Sequence, residues 1–109
     1  MQKVSIEALA RQQLERASAN GRNAADTVVG GHERVLRQTV IGMIAGSEMQ
    51  EHENPGEATI YVVKGSVRLT VGEEQWDART GDLLMIPDAR HSLLAVVDAA
   101  ILLTVAKTP

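Results

Sequence analysis

From residue 27 onward the chain never sustains a helical period. Short apolar runs follow one another instead, each closed by glycine, proline or acidic residues: "TIYVV" (59–63), "SVRLTV" (66–71), "DLLMIP" (82–87), "HSLLAVV" (91–97) and "AAILLTVA" (99–106). Parallel strands need a long crossover, usually a helix, between them, so a parallel α/β sheet is excluded. About eight short antiparallel strands in about 80 residues predict a compact barrel or jelly-roll sandwich, which closes or covers its strand edges.

The alternation within these runs predicts faces. In "RVLRQTVIGMI" (34–44), Leu36, Gln38 and Val40 share one face, and Val35, Arg37, Thr39 and Ile41 the other. Residues 59–63 are apolar on both faces, so neither is expected to see much water. Val67, Leu69 and Val71 alternate with Arg68 and Thr70, and with Leu83 and Met85 they are the candidate core rows. Lys64-Gly65 and Asp98-Ala99 have the chemistry of tight hairpins.

Upstream, residues 5–18 read as a helix. Ile6, Leu9, Leu14 and Ala17 recur on one face with Ala10 and Gln13 beside them; Ser5 suits the N-cap and Gly21 the stop. Such a helix is expected to lie across an apolar surface of its own barrel or of a partner subunit. "NGRNAADT" (20–27) reads as a linker. The expected organisation is a helix and linker over 1–26 and a β-barrel over 27–109.

Composition narrows the function. The 109 residues suffice for one domain. A net charge of −3 sets up no phosphate-binding field, and one Tyr, one Trp and no Phe leave few surfaces for stacking bases. No nucleic-acid partner is expected. The absence of cysteine excludes thiolate metal sites, thiol nucleophiles and disulfides. The N-terminus is charged throughout and lacks an apolar signal core, and residues 93–106 are broken by Asp98 and too short to span a bilayer. A cytoplasmic protein with no membrane partner is the expectation.

The polar residues that bear chemistry cluster near strand starts. His52 and His91 each open a strand segment after a turn-forming stretch, and His91 shares its face with Leu93, Ala95 and Val97. A polar ring at the mouth of an apolar face is where barrels place ligands. Neutral imidazole also binds metals, but only with further donors such as Glu51, Glu53, Asn54 or Glu57. Arg37 can grip a carboxylate with its two-pronged guanidinium or simply pair with a surface glutamate. Gln38 needs a partner if its face is the interior. His32, after Gly30-Gly31, is an outlying candidate, and Tyr61 and Trp76 can pack or wall a pocket.

The run "GSEMQEHENPGEATIYVVKG" (46–65), followed by "GDLLMIPDARH" (81–91), resembles the two motifs of the cupins. Gly46, His52 and Gly65 stand at the steps of the first motif. Gly81 and Pro87 stand in step with the second, with Ala89 in place of its glycine and His91 one place early. The resemblance spans residues 35–106. It implies an all-β fold, a small cupin barrel (a jelly-roll-like double-stranded β-helix) with one N-terminal α-helix, of the compact bacterial type, and a homodimer.

In cupins, the second histidine and the glutamate of the first motif also bind the metal. Asn54 and Ala58 occupy those positions here. The implied cofactor is one divalent transition metal (Mn, Fe, Ni or Zn), held by His52, His91 and the neighbouring Glu57, with His91 reached through a tighter turn in "PDAR".

Three functions remain open. The first is a module that binds a small molecule at the barrel mouth through Arg37, Gln38, His52, Glu57 and His91. The second is a metal-dependent enzyme of oxygenase or isomerase type, with Glu57 as third ligand or general base. The third is a structural or interaction protein. With half the ligand set replaced, binding is preferred over catalysis.

Overall fold

Ser5 starts the first element. Its hydroxyl accepts the Ala8 N–H at 3.2 Å and caps helix α1, Ile6–Asn20, which Gly21 ends in the left-handed conformation (φ 77°). This is a computed structural model; it describes residues 2–52 and 56–107, without the side chains of Glu51 and His52. Nine strands follow among the described residues: β1 (Asn23–Val29), β2 (Leu36–Met43), β3 (Glu48–His52), β4 (Gly56–Lys64), β5 (Ser66–Val71), β6 (Glu74–Arg79), β7 (Leu83–Ile86), β8 (His91–Ala95) and β9 (Ala99–Lys107).

They form two antiparallel sheets, one of five strands in the order β1-β2-β9-β4-β7 and one of four in the order β3-β8-β5-β6. Each described strand pairs only within its own sheet, so the fold is a jelly-roll-like sandwich and not the closed barrel expected. The inner faces meet in one core of Ile41, Met43, Ala58, Ile60, Val62, Val67, Leu69, Ala78, Ile86, Leu93, Ala95, Ala99, Ile101 and Val105. Burying each Val, Leu or Ile here contributes about 1.5–3 kcal/mol.

A second, smaller core lies behind the five-stranded sheet. Ala10 of α1 packs on Val40 and Ala100, flanked by Ile6, Leu9, Leu14, Val28, Val63 and Leu102. The helix sits close to β2 because residue 42 is glycine. A Cβ there would meet the Gln13 carbonyl and come within 2.6 Å of the Leu14 nitrogen. The expected apolar surface beneath the helix is therefore the chain's own sheet.

Several local expectations need correction. Lys64-Gly65 is not a hairpin: β4 and β5 lie in different sheets, and Gly65 (φ 96°) turns the chain from one to the other. A Cβ at Gly65 would strike the Asp98 carbonyl. Asp98-Ala99 joins β8 to β9 across the same gap, again not as a hairpin. Gly72-Glu73 does close a tight hairpin, with Val71 opposite Glu74. Strand β1 begins at Asn23, inside the expected linker, and residues 23–26 pair with β2 because backbone hydrogen bonding overrides the weak strand preference of "NAAD".

Leu83 and Met85 are not core residues. They pair with Tyr61 and Thr59 on the outer face, beyond the reach of α1, while Leu84 and Ile86 point inward. Tyr61 is correspondingly exposed, against the expectation that both faces of residues 59–63 are dry. No helix among the described residues is long and apolar enough to cross a membrane.

Candidate functional site

Two links from sheet to sheet define one end of the sandwich. Residues 53–55 join β3 to β4, and residues 87–90 join β7 to β8. So short a tether from 52 to 56 holds the end of β3 beside the start of β4. His52, His91, Ala58 and Ile86 are thereby gathered at this end.

His91 is 4% exposed and lies on the inner-face register with Leu93 and Ala95. Its Nδ1 lies 2.9 Å from the Ala89 carbonyl. A carbonyl only accepts, so Nδ1 donates, and a neutral His91 then carries its lone pair on Nε2. The turn before it is tight, as the early position of His91 required: the Ala89 N–H donates to the Pro87 carbonyl at 2.8 Å, a three-residue turn.

A β-bulge sets the register of the neighbouring strand. Met49 stands opposite Leu93, but two residues on β3 then match one on β8, and residue 52 becomes the partner of His91. Regular pairing would have placed residue 51 there. A bulge is a standard device for re-aiming a side chain at a site. The break in period between apolar Met49 and His52 was the only sign of it in the sequence.

The facing sheet contributes one row. Arg37 pairs with Val105, Val105 with Ala58, and Ala58 with Ile86. The last three belong to the inner core, so Arg37 shares the inward register at the exposed start of β2. Its guanidinium makes no ion pair among the described residues. The sequence offered no reason to single out Val105, Ala58 or Ile86, because apolar residues lining a pocket look like any other core.

Two other expected site residues lie on the opposite side of the same sheet. Gln38 alternates with Arg37 onto the outer face, where its Nε2 donates to Thr104 Oγ1 at 3.1 Å. Glu57 alternates with Ala58, pairs with Ala106 and is exposed. The period of two along β2 and β4 thus brings Arg37 to the His91 end of the interior but brings neither Gln38 nor Glu57. His32 is exposed in the link between β1 and β2. Glu53 and Asn54 lie outside the described residues.

A cupin domain model matches residues 39–105. The chain is a cupin. No curated protein matches it in sequence. Among solved structures, a conserved protein of unknown function from Streptococcus pyogenes is 27% identical over 81% of this cupin and 76% of that chain, with a TM-score of 0.73. An RmlC-like cupin from Desulfovibrio desulfuricans is 25% identical over 80% and 84%, with a TM-score of 0.70. A mutant salicylate 1,2-dioxygenase from Pseudoaminobacter salicylatoxidans is 18% identical, covering 91% of this cupin but 34% of its own chain, with a TM-score of 0.77; the likeness is one of fold.

Cupins commonly bind a transition metal. In this cupin positions 52 and 91 are cross-strand partners, but the carboxylate position of the motif is not kept. Ala58 presents a methyl group where the family's motif has glutamate, and Glu57 belongs to the other face. Among the described residues no three His, Cys, Asp or Glu side chains converge as a metal set.

Proposed function

We propose that this cupin binds a small carboxylic acid with an apolar body between its sheets, at the end marked by His91. One observation carries the reading: Arg37 occupies the inward register in the same row as Val105, Ala58 and Ile86. A cation without an ion pair beside an apolar wall suits a carboxylate head and a hydrocarbon body. On the other sheet, His91 lies buried at the same end, with His52 as its cross-strand neighbour.

A thermal-shift screen of small carboxylic acids and neutral sugars tests this. A ligand at 100 times its Kd stabilises the fold by about 2.7 kcal/mol. The shift should favour acids and should disappear in Arg37→Ala and His91→Ala. If no acid shifts the melting temperature, or if the shift survives both substitutions, the reading falls and a structural or interaction role takes its place.

A metal-dependent enzyme of oxygenase or isomerase type is the second reading. It is favoured by the direct opposition of positions 52 and 91 and by the Nδ1–H donated to a carbonyl, a common orienting contact for metal-binding histidines. Metal analysis of the untagged protein decides it: near-stoichiometric Mn, Fe, Ni or Zn should vanish in His52→Ala and His91→Ala. Sub-stoichiometric metal indifferent to both changes removes the reading. We further propose that the chain works as a homodimer, which the uncovered part of its outer sheet face supports.

A further inference from the structure

One aromatic ring lies on an inner face without being packed away. The chain has one Tyr, one Trp and no Phe, and Tyr61 stands exposed on the outer face. Trp76 pairs with Leu69 across β5 and β6, and Leu69 belongs to the inner core. Directly paired residues share a face, so Trp76 takes the inward register, as Ala78 does two residues on. Ala78 is buried, yet Trp76 is 46% exposed. Aliphatic side chains fill the core, and the largest apolar side chain on its walls is left half bare.

Trp76 sits over one end of the row that holds Arg37. Strand β6 is an edge of the four-stranded sheet and β7 an edge of the five-stranded one, and β6 also meets β4. A tight turn carries the chain from one edge to the other: the Arg79 N–H donates to the Asp82 carboxylate and the Asp82 N–H to the Arg79 carbonyl, both at 2.9 Å. Trp76 lies three residues before Arg79 and Ile86 three after Leu83, so the two are level on neighbouring edges. From Ile86 the row runs through Ala58 and Val105 to Arg37. Three strand spacings, about 14 Å, separate β7 from β2. Ala58 is the smallest side chain of the row and leaves its middle low.

We propose that the apolar body of the bound acid is an aromatic ring, and that Trp76 is the residue that selects it. The proposal rests on the carboxylic-acid reading and names the ligand's class: an arylalkanoic acid, with ring and carboxylate parted by a short chain. The carboxylate pairs with Arg37, the chain crosses Ala58, and the ring lies against the open indole beside Ile86. Aromatic pairs prefer offset-stacked or edge-to-face arrangements, and their attraction exceeds what the buried area alone supplies. The span between Arg37 and Trp76 sets the chain that parts ring from carboxylate.

An indole that only plugged the edge of the sandwich would be covered by the strands it plugs, whereas nearly half of this one is open. A lone exposed apolar residue is ordinary on an outer surface. This one has the inward register, level with a wall whose Arg37 makes no ion pair among the described residues. It is also the only tryptophan, so its emission reports on this end of the row and on nothing else.

Calorimetric affinities and tryptophan emission test the proposal with two acids of equal charge and chain length, 3-phenylpropanoate and 3-cyclohexylpropanoate. The cyclohexyl acid has at least as much apolar surface, so burial alone cannot favour its phenyl counterpart. The parent protein should bind the phenyl acid about three- to tenfold more tightly, with a shift in Trp76 emission at saturation. Trp76→Leu keeps an apolar side chain and should abolish the preference while both acids still bind; Trp76→Phe should restore it. Trp76 is half exposed at an edge, so the circular-dichroism melts of both variants should stay near the parent's. If neither acid binds the parent protein, the carboxylic-acid reading and this one fall together. If both acids bind it equally, if its emission is unmoved at saturation, or if the preference survives in Trp76→Leu, the acid reading stands and the role of Trp76 is overturned.

Discussion

Across β3 and β8, His52 stands directly opposite His91, and it does so only because the bulge after Met49 adds a residue to β3. Directly opposed residues have Cβ atoms about 4.5–5.5 Å apart. Ala58, at the same end of the facing sheet, stands where the cupin motif has its glutamate. Ala58→Glu should therefore lower the melting temperature in chelator, since a buried carboxylate without partners is unfavourable. Added Ni, Zn or Mn should then raise it by more than in the parent protein. Equal metal shifts in both proteins would show that residue 58 does not face the histidines.

Gln13, on the buried face of α1, is wholly buried, and neither its amide nitrogen nor its oxygen has a hydrogen-bond partner. Leaving such a group unsatisfied costs about 1–3 kcal/mol. Gln13→Met keeps the length and removes the polar atoms, so it should raise the urea midpoint with an unchanged m-value. A lowered midpoint would mean that a buried water serves the amide.

Gly42→Ala tests the seating of the helix. The new methyl group would press on the backbone at Gln13 and Leu14, which cannot rotate away. A loss of about 1–3 kcal/mol is expected, as for overpacking in a core. Hydrogen exchange should accelerate in residues 6–20 before it does in β9. Unchanged exchange there would place the helix farther from the sheet.

Arg68 and Asp77 face each other across β5 and β6, with Nε 2.7 Å from Oδ1. The hydrogen bond from Arg68, opposed by desolvation and aided by its charge, holds the Asp77 carboxyl below its ordinary 3.8. A lowered folded pKa gives stability that is present above 3.8 and is lost as pH falls through the depressed value. Asp77→Asn should thus lower the melting temperature slightly at pH 7. The difference should close in acid and in high salt, because the pair is exposed. A gap that persists at low pH would assign it to packing.

The helix and the antiparallel all-β class were legible because their signals are local. Ser5, Gly21 and the spacing of Ile6, Leu9, Leu14 and Ala17 act within one element, and the alternation of Val67, Leu69 and Val71 does the same. What could not be read was which strands share a sheet. Lys64-Gly65 has hairpin chemistry, yet Gly65 serves a crossing between sheets, and only contacts distant in sequence decide between the two. The assignment of faces failed for the same reason: Leu83 and Met85 alternate like core residues, and the limited span of α1 leaves them bare. At the candidate site, His91 and Arg37 were identifiable as isolated polar residues at strand starts. Glu57 and Gln38 were drawn in by nearness in sequence, and a period of two turns them to the other face.

The two cores depend on the chain unequally. The inner one is closed by the sheets alone, whereas the outer one exists only while residues 6–20 lie on Val40, Ala100 and Leu102. Trimming the chain to residue 22 should leave a molecule that still folds its strands but presents a broad oily back. Its failure would appear as precipitation and dye binding, with the β-sheet spectrum intact.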